Sequence, residues 1–167
     1  MRIDLVPINQ SKAGGDLALS WALDMWGDHI PHYSHQDWID FYQNAHTADY
    51  QHWNGTDQEL VYIGMRDEEI VGTISLVDFD ELEEFRHLSP WIAAFIVNPK
   101  MRGEGIGSQM LVLLEEKARA LGIRSLHLWT EDQSAFYLKR GYSVTASGKF
   151  EHLSLDVMQK KIQSHST

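Results

Sequence analysis

The fold is decided by residues 93–108, which read AAFIVNPKMRGEGIGS. An apolar run ends in an Asn-Pro pair, and three alternate glycines, Gly103, Gly105 and Gly107, then lead into a helical pattern. Glycine adopts backbone angles that are closed to other residues and lets a ligand approach closely. The first amides of the helix have no partner within it and point towards whatever occupies the turn. Because Arg102 adds a forked, permanently charged donor set, the stretch predicts an anion-binding turn between a strand and a helix.

The hydrophobic periodicity predicts the order β-α-α-β-β-β-α-β-α-β-β. The strand at 91–97 is apolar throughout, so we expect it to be buried on both faces. The parallel strands on either side of the central helix require a crossover connection. The predicted strands are Met1–Ile8, Leu60–Met65, Ile70–Val77, Trp91–Val97, Ser125–Thr130, Tyr142–Ala146 and Leu153–Met158. The predicted helices are Asp16–Trp26, a second one capped by Ser34, Gly107–Leu121 and Ser134–Arg140.

The spacing of the glycines separates this turn from other phosphate-binding loops. A P-loop ends in Gly-Lys-Ser/Thr, whereas Gly107 is followed by Ser and Gln. A dinucleotide fingerprint reads G-x-G-x-x-G, and this turn reads G-x-G-x-G. The pattern Arg-x-x-Gly-x-Gly at Arg102, Gly105 and Gly107 resembles the pyrophosphate loop of the GCN5-related N-acetyltransferase (GNAT) family. The alternative is a flexible turn that binds nothing.

A second motif follows the strand at 125–130. It resembles the family's Ala-[Leu/Phe]-Tyr motif, which is followed by a basic helix and Gly-aromatic. The family often has Asn where Thr130 stands, and either side chain can hydrogen-bond the ligand or the backbone. The matching residues are Ala135, Phe136, Tyr137, Gly141 and Tyr142. The resemblance covers roughly residues 60–146; the segment 89–93 is similar to one bacterial branch, and 126–142 to some peptide N-terminal acetyltransferases.

The resemblance implies an α/β fold, a single-domain mixed sheet with flanking helices. It implies an N-acetyltransferase domain at residues 1–162, followed by a flexible tail at 163–167. The implied activity is transfer of an acetyl group from the co-substrate acetyl-CoA to a primary amine of a small molecule or peptide, by direct attack in a ternary complex. The alternative is an acyl-CoA-binding sensor or interaction module that has the same fold and no turnover.

The resemblance also implies roles for individual residues. Tyr137 would be the general acid, and backbone N–H groups of the 91–97 strand would bind the pantetheine arm and polarise the acetyl carbonyl. We also expect the strand to end or splay at Pro99, since proline cannot extend the ladder. The expected cofactor-binding residues are Phe95, Ile96, Val97, Arg102, Gly103, Glu104, Gly105, Ile106, Gly107, Ser108, Thr130, Phe136 and Tyr137.

The general base stays open because the strand at 91–97 contains no carboxylate. The candidates are His127 and the acidic loop that precedes this strand. That loop would also attract a cationic acceptor such as a polyamine, an aminoglycoside or a basic peptide end. The alternative is a solvated loop that contacts nothing. The loop carboxylates are Asp78, Asp80, Glu81, Glu83 and Glu84.

Composition argues against several other classes of site and partner. The chain has 167 residues and no cysteine, so disulfides, thiolate nucleophiles and Cys-ligated zinc are absent. A net charge of −10 argues against a nucleic-acid partner, while residues 100–140 alone carry +2 and suit an anionic ligand. No apolar run has the length of a membrane span, and the first residues do not read as a signal peptide. We therefore expect a cytoplasmic protein, monomeric or homodimeric, with no membrane partner.

His29, His32 and His35 have the spacing H-x-x-H-x-x-H, which raises the question of zinc. Pro31 argues against a helix through all three, so their side chains need not converge. We expect no metal site here. We expect instead a connecting segment that covers the acceptor pocket together with Trp26, Tyr33, Trp38 and Trp53.

Overall fold

The computed structural model describes residues 2–150 and 152–162, so the predicted tail at 163–167 lies outside the described residues. The elements follow the predicted order. The strands are β1 (Ile3–Pro7), β2 (Glu59–Arg66), β3 (Glu69–Val77), β4 (Trp91–Val97), β5 (Ser125–Thr130), β6 (Ser143–Phe150) and β7 (Leu153–Lys161). The helices are α1 (Lys12–Met25), α2 (His35–Ala45), α3 (Ile106–Ala120) and α4 (Ser134–Leu138), with short 3₁₀ turns at Ile8–Gln10, Glu83–Phe85 and Pro99–Met101.

The strands form one mixed sheet in the order β1-β2-β3-β4-β5-β7-β6. Within the described residues, β4 and β5 are parallel and every other neighbouring pair is antiparallel. Residues of β2 alternate between two cores, with Leu60 and Tyr62 packed on the α3 side and Val61 and Ile63 on the side of α1 and α2. Burying such a side chain stabilises the fold by roughly 1.5–3 kcal/mol. None of the helices in the described part of the chain combines the length and apolar character needed to cross a membrane.

Helix α1 begins four residues earlier than the sequence pattern predicts. Ser11 caps it, because its hydroxyl accepts a hydrogen bond from the Gly14 amide at 3.0 Å. Gly14, in the first turn, has a packing role. A Cβ built on Gly14 would lie 2.6 Å from Cγ2 of Ile63, so only glycine lets the helix approach β2 this closely.

The strands β4 and β5 touch at one end and then diverge. Their register pairs only Trp91 with His127 within the described residues, and the His127 amide donates to the Pro90 carbonyl at 3.1 Å. Residues Ala93 to Phe95 are consequently half-buried. The prediction that β4 is buried on both faces is therefore wrong over its middle, because its neighbour moves away and leaves a cleft.

A β-bulge in β4 lies beside this opening. Thr73 pairs with Ile96 and Ser75 with Ala93, so that Ile74 alone faces two residues of β4, Ala94 and Phe95. Ala94 has a φ of +47°, in the left-handed region that favours glycine. A bulge leaves one residue outside the ladder and increases the local twist. The bulge thus frees backbone from the ladder at the edge of the cleft.

Strand β4 ends immediately before Asn98-Pro99, as predicted, and a 3₁₀ turn begins at Pro99, but the strand does not splay from β3 there. The Asn98 amide, next to Pro99, still donates to the Val71 carbonyl at 2.8 Å, and the Asn98 side chain donates to the Ile70 carbonyl at 2.9 Å. β4 therefore stays on β3 up to its last residue. The opening lies on the β5 side and begins immediately after Trp91.

Candidate active site

A cavity of about 1030 Å³ lies where β4 and β5 diverge. Its walls include the segment between α1 and α2, the middle of β4, the glycine turn, the first turn of α3 and the helix α4. The sequence-predicted residues that line it are Phe95, Ile96, Val97, Arg102, Gly103, Gly105, Ile106, Gly107, Ser108, Thr130, Phe136 and Tyr137. Two motifs far apart in the sequence therefore meet at one cleft.

The glycine turn forms an open, positively polarised end of the cavity. Gly103 and Gly105 have φ of +84° and +78°, and a Cβ built on either would meet nothing within 4 Å. Gly105 is also the N-cap of α3, and no side chain caps the helix there. Unpaired amides and the helix dipole attract an anion to such a terminus. Arg102 adds an exposed guanidinium that has no ion-pair partner among the described residues.

Arg140 closes this end from the other side, a role that the sequence analysis missed. Its Nε donates to the Ser108 hydroxyl at 2.8 Å, and its Nη2 donates to the same oxygen. Its Nη1 donates to the Phe136 carbonyl at 2.7 Å, and the guanidinium lies 3.9 Å from the Phe136 ring centroid. The first turn of α3 is thereby fastened to the segment carrying Tyr137. The sequence signal for this role is a basic residue three positions after Tyr137.

Tyr137 projects from α4 into the cavity. The residue is 9% exposed, and its ring packs edge-on against Tyr142 with centroids 5.6 Å apart. None of the hydrogen bonds between described residues uses the Tyr137 hydroxyl. Burial raises the pKa of this hydroxyl far above its ordinary value. Tyr137 therefore keeps its proton at neutral pH and can donate it into the cleft.

The opposite end of the cavity is acidic. Carboxylates reach it from α2, from the start of β2 and from the loop after β3: Asp37, Asp40, Asp57, Glu59, Asp78, Asp80 and Glu81. Burial, together with the charge of Glu81, raises the pKa of Glu59 to about 7 and that of Asp80 to about 7. Neither carboxyl has a Lys or Arg partner among the described residues. Two carboxyl groups that lack such a partner thus lie within a cleft whose other end attracts anions.

Aromatic side chains line the acidic end, as the sequence predicts for the segment between α1 and α2. Trp26 and Trp38 stack with ring centroids 5.4 Å apart, and Tyr33 packs edge-on against Trp38 at 4.9 Å. All three line the cavity, whereas Trp53 packs against the core on the α3 side. A ring of Trp or Tyr beside carboxylates is favourable for an ammonium group.

The same segment is tied across the cleft. His29 Nε2 lies 3.2 Å from Glu131 Oε2, next to the end of β5, and the His29 carbonyl accepts a hydrogen bond from His152 Nε2 at 2.9 Å. Within residues 2–150 and 152–162, no three His, Asp or Glu side chains are grouped in a way that could hold a metal ion. The contacts of His29 fasten the segment to the β5–α4 and β6–β7 turns.

Several predicted residues lie apart from the cleft or have other contacts there. The Glu104 side chain does not line the cavity and pairs with Arg66 at 3.3 Å. The Thr130 hydroxyl accepts a hydrogen bond from the Gln133 amide at 2.9 Å, so it caps the turn before α4. His127 packs on Trp91, with ring centroids 5.7 Å apart, and is outside the lining. Glu83 and Glu84 are outside it as well.

Comparison with known proteins identifies the family. A model of the acetyltransferase (GNAT) family matches residues 24–142, which is more than half of the chain. The chain belongs to this family. The match begins in α1 and ends at Tyr142, so it contains both the glycine turn and the Tyr137 motif.

Individual relatives match smaller parts. Aminoalkylphosphonate N-acetyltransferase from Salmonella typhimurium is 38% identical over 87 residues, 48% of this chain and 54% of that protein. N-alpha-acetyltransferase 80 from Mus musculus is 42% identical over 53 residues, 32% of this chain and 17% of that protein. The chain thus spans about half, or less, of the length of these relatives.

Solved structures share the fold over nearly the whole chain. Aminoglycoside 6'-acetyltransferase type Ii superposes with a TM-score of 0.70 at 16% identity, covering 99% of this chain and 100% of that one. The structure of yncA from Salmonella typhimurium with its cofactor acetyl-CoA gives a TM-score of 0.64 at 20% identity, covering 100% and 96%. The single mixed α/β domain is therefore a GNAT fold.

The glycine turn gives a matched pair of variants. Gly105→Ala and Gly122→Ala each place a methyl group at a φ near +80°, with nothing within 4 Å of it, so each strains the backbone by about 1–2 kcal/mol. Of these two glycines, Gly105 lines the cavity and Gly122 does not. We expect Gly105→Ala to weaken acetyl-CoA binding by about ten-fold or more, and Gly122→Ala to leave it unchanged, by isothermal titration calorimetry. Equal affinities in the two variants would contradict an anion site at the turn.

Proposed function

We propose that this protein is an acetyl-CoA-dependent N-acetyltransferase that transfers an acetyl group to a primary amine by direct attack in a ternary complex. The observation that carries the proposal is the uncapped α3 terminus with its open glycine turn, which shares one cavity with Tyr137 and the diverging strands. Family membership and the acyltransferase names of the relatives support the same reaction class. A continuous cavity of this size gives room for two substrates at once.

The residues present fit acetyl-CoA as the donor. Its diphosphate would lie against the amides at Gly103 to Gly107, where the missing side chains leave open space. Arg102 and Arg140 line the same end and would balance its charge. Bound there, acetyl-CoA supplies an activated acetyl thioester. The backbone freed by the bulge at Ala94 and Phe95 would hold the arm that leads to it, as the family resemblance implies.

Two kinds of side chain would move protons in the reaction. Tyr137 holds a proton on a buried hydroxyl and would donate it to the departing sulfur. Asp80 and Glu59, with pKa values of about 7, would accept a proton from the acceptor ammonium before attack. The acidic end thus supplies the base that β4 lacks.

The acceptor we propose is a cationic amine with more than one ammonium group. Seven carboxylates line the end where it would bind, together with aromatic rings that include Trp26, Tyr33 and Trp38, and Arg86 is a basic residue in the same lining. Such a surface attracts cations and repels anionic molecules. Aminoglycoside acetyltransferases are among the proteins that share this fold.

The proposed function can be tested without choosing one acceptor in advance. We expect acetyl-CoA and CoA to raise the melting temperature in a thermal-shift panel, and ATP and NAD to leave it unchanged, since only a ligand of the native state stabilises it. We expect release of free CoA when acetyl-CoA is mixed with members of a panel of polyamines, aminoglycosides and peptides. Binding of acetyl-CoA with no release for any amine would instead indicate a sensor module.

Substitution of the proposed acid gives a second expectation. Tyr137→Phe removes one hydroxyl and keeps the ring, so we expect kcat to fall on the order of 100-fold while the Kd of acetyl-CoA changes little. Stopped-assay kinetics and calorimetry measure the two quantities separately. Full turnover in Tyr137→Phe would exclude this residue as the acid.

The acidic end is tested with the double variant Glu59→Gln/Asp80→Asn. We expect kcat/KM for a diamine to rise between about pH 6 and about pH 8 in the wild type, because the two carboxyls ionise in this range. The ionised groups attract the substrate and can accept its proton. The double variant should lose this rise and about ten-fold or more in kcat/KM at low ionic strength. Glu83→Gln is the matched control, since Glu83 lies in the same loop outside the cavity. An equal loss in the control would refute specific recognition by the cavity carboxyls.

A further inference from the structure

The helix that carries Tyr137 is too short to hold its own position. α4 has five residues, and isolated helices of this length are not stable in water. At its N-terminal side the Gln133 amide donates to Thr130, and the Ser134 hydroxyl donates to Asp156 of β7. Its position at the C-terminal side must come from contacts with other elements. The bonds of the Arg140 side chain to Ser108 are one such contact, and a buried polar network that the proposed reaction does not use makes others.

The network connects α3, β7 and the turn after α4. Glu115 of α3 is 4% exposed and accepts a hydrogen bond from the Tyr142 hydroxyl at 2.7 Å. The Lys160 ammonium donates to both oxygens of this carboxylate at 3.1 Å, and to the Arg140 carbonyl at 2.9 Å. All three protons of the ammonium therefore have an acceptor. One of these acceptors is the backbone of the segment that follows Tyr137.

The path from this network to Tyr137 is short. The Tyr137 carbonyl accepts hydrogen bonds from the Arg140 amide at 2.9 Å and the Tyr142 amide at 3.1 Å. The Tyr142 ring packs edge-on against the Tyr137 ring. A shift of Arg140 or Tyr142 would therefore move both the backbone and the ring of Tyr137.

A gain in folding stability does not by itself explain why the fold contains this buried network. Replacing a buried ion pair with apolar side chains of similar size is often neutral or stabilising, because the charges lose their hydration. An apolar cluster would fill the space, but it could not fix the direction of a particular carbonyl. The network fixes the Arg140 carbonyl through the third proton of Lys160.

We propose that Glu115, Lys160 and Tyr142 are positioning residues that hold the Tyr137 hydroxyl at the reacting end of the cleft. The inference rests on the proposed function, in which Tyr137 is the acid. None of the three lines the cavity, so their effect on the reaction passes through Tyr137 and its neighbours.

A double-mutant cycle tests the proposal. We expect Tyr142→Phe and Lys160→Met each to lower kcat about ten-fold in the wild type, and less than about two-fold when Tyr137 is already phenylalanine, because residues that act through one group are not additive. The control is Tyr50→Phe. It removes a hydroxyl that donates to the Ala45 carbonyl at 2.8 Å and accepts from the Val61 amide at 3.0 Å, away from α4. We expect it to lower the melting temperature and leave kcat unchanged.

Equal losses of kcat in both backgrounds would overturn the positioning role while leaving Tyr137 as the acid. Full activity of Tyr137→Phe alone would overturn the acid assignment and the positioning role together. Hydrogen–deuterium exchange gives a readout that needs no acceptor amine. We expect Tyr142→Phe and Lys160→Met to speed exchange of the amides at 134–142, and Tyr50→Phe to leave it unchanged. Unchanged exchange at 134–142 in all three variants would overturn the proposal.

Discussion

The divergence of β4 from β5 is the constraint on which the rest of the site depends. Among residues 2–150 and 152–162, the two strands share one paired position, Trp91 with His127, and separate beyond it. The glycine turn follows β4 in the chain and α4 follows β5, so the separation places these two motifs on either side of one gap. A strand paired along its whole length would have closed that gap. The bulge at Ala94 takes one residue of the same strand out of the β3–β4 ladder beside this gap.

The cavity has a second organising feature, which is its charge. Its glycine end offers backbone amides and guanidinium groups, and its far end offers the carboxyls of Glu59 and Asp80, which have no Lys or Arg partner in the described part of the chain. Opposite charges at the two ends would keep an anionic donor and a cationic acceptor from exchanging places, since each is repelled by the site of the other. Burial and the charge of Glu81 raise the pKa values of Glu59 and Asp80, because both disfavour the ionised form of a carboxyl.

The sequence predicts the order of elements and the two motifs because those features are local. Glycine spacing, a capping serine at Ser34 and apolar periodicity all act within a few residues. The start of α1 could not be predicted in this way, since Gly14 is explained by Ile63 of a distant strand. The acidic end was missed in part for the same reason: the loop carboxylates were visible as a run, whereas Glu59 and the two aspartates of α2 join them only through the fold. In the sequence, Arg140 is one of several basic residues between 100 and 140, and its bonds to Ser108 depend on how α4 packs on α3.

In mechanical terms, the narrow contact at Trp91 divides the sheet into two plates, β1 to β4 and β5 with β7 and β6, joined along a short seam. Each plate keeps its own full set of antiparallel ladders. A ligand bound in the cleft would contact both plates and hold them together. Without a ligand, the contact between β4 and β5 should be the first part of the fold to open on heating. With a ligand bound, the two plates should unfold in one cooperative transition.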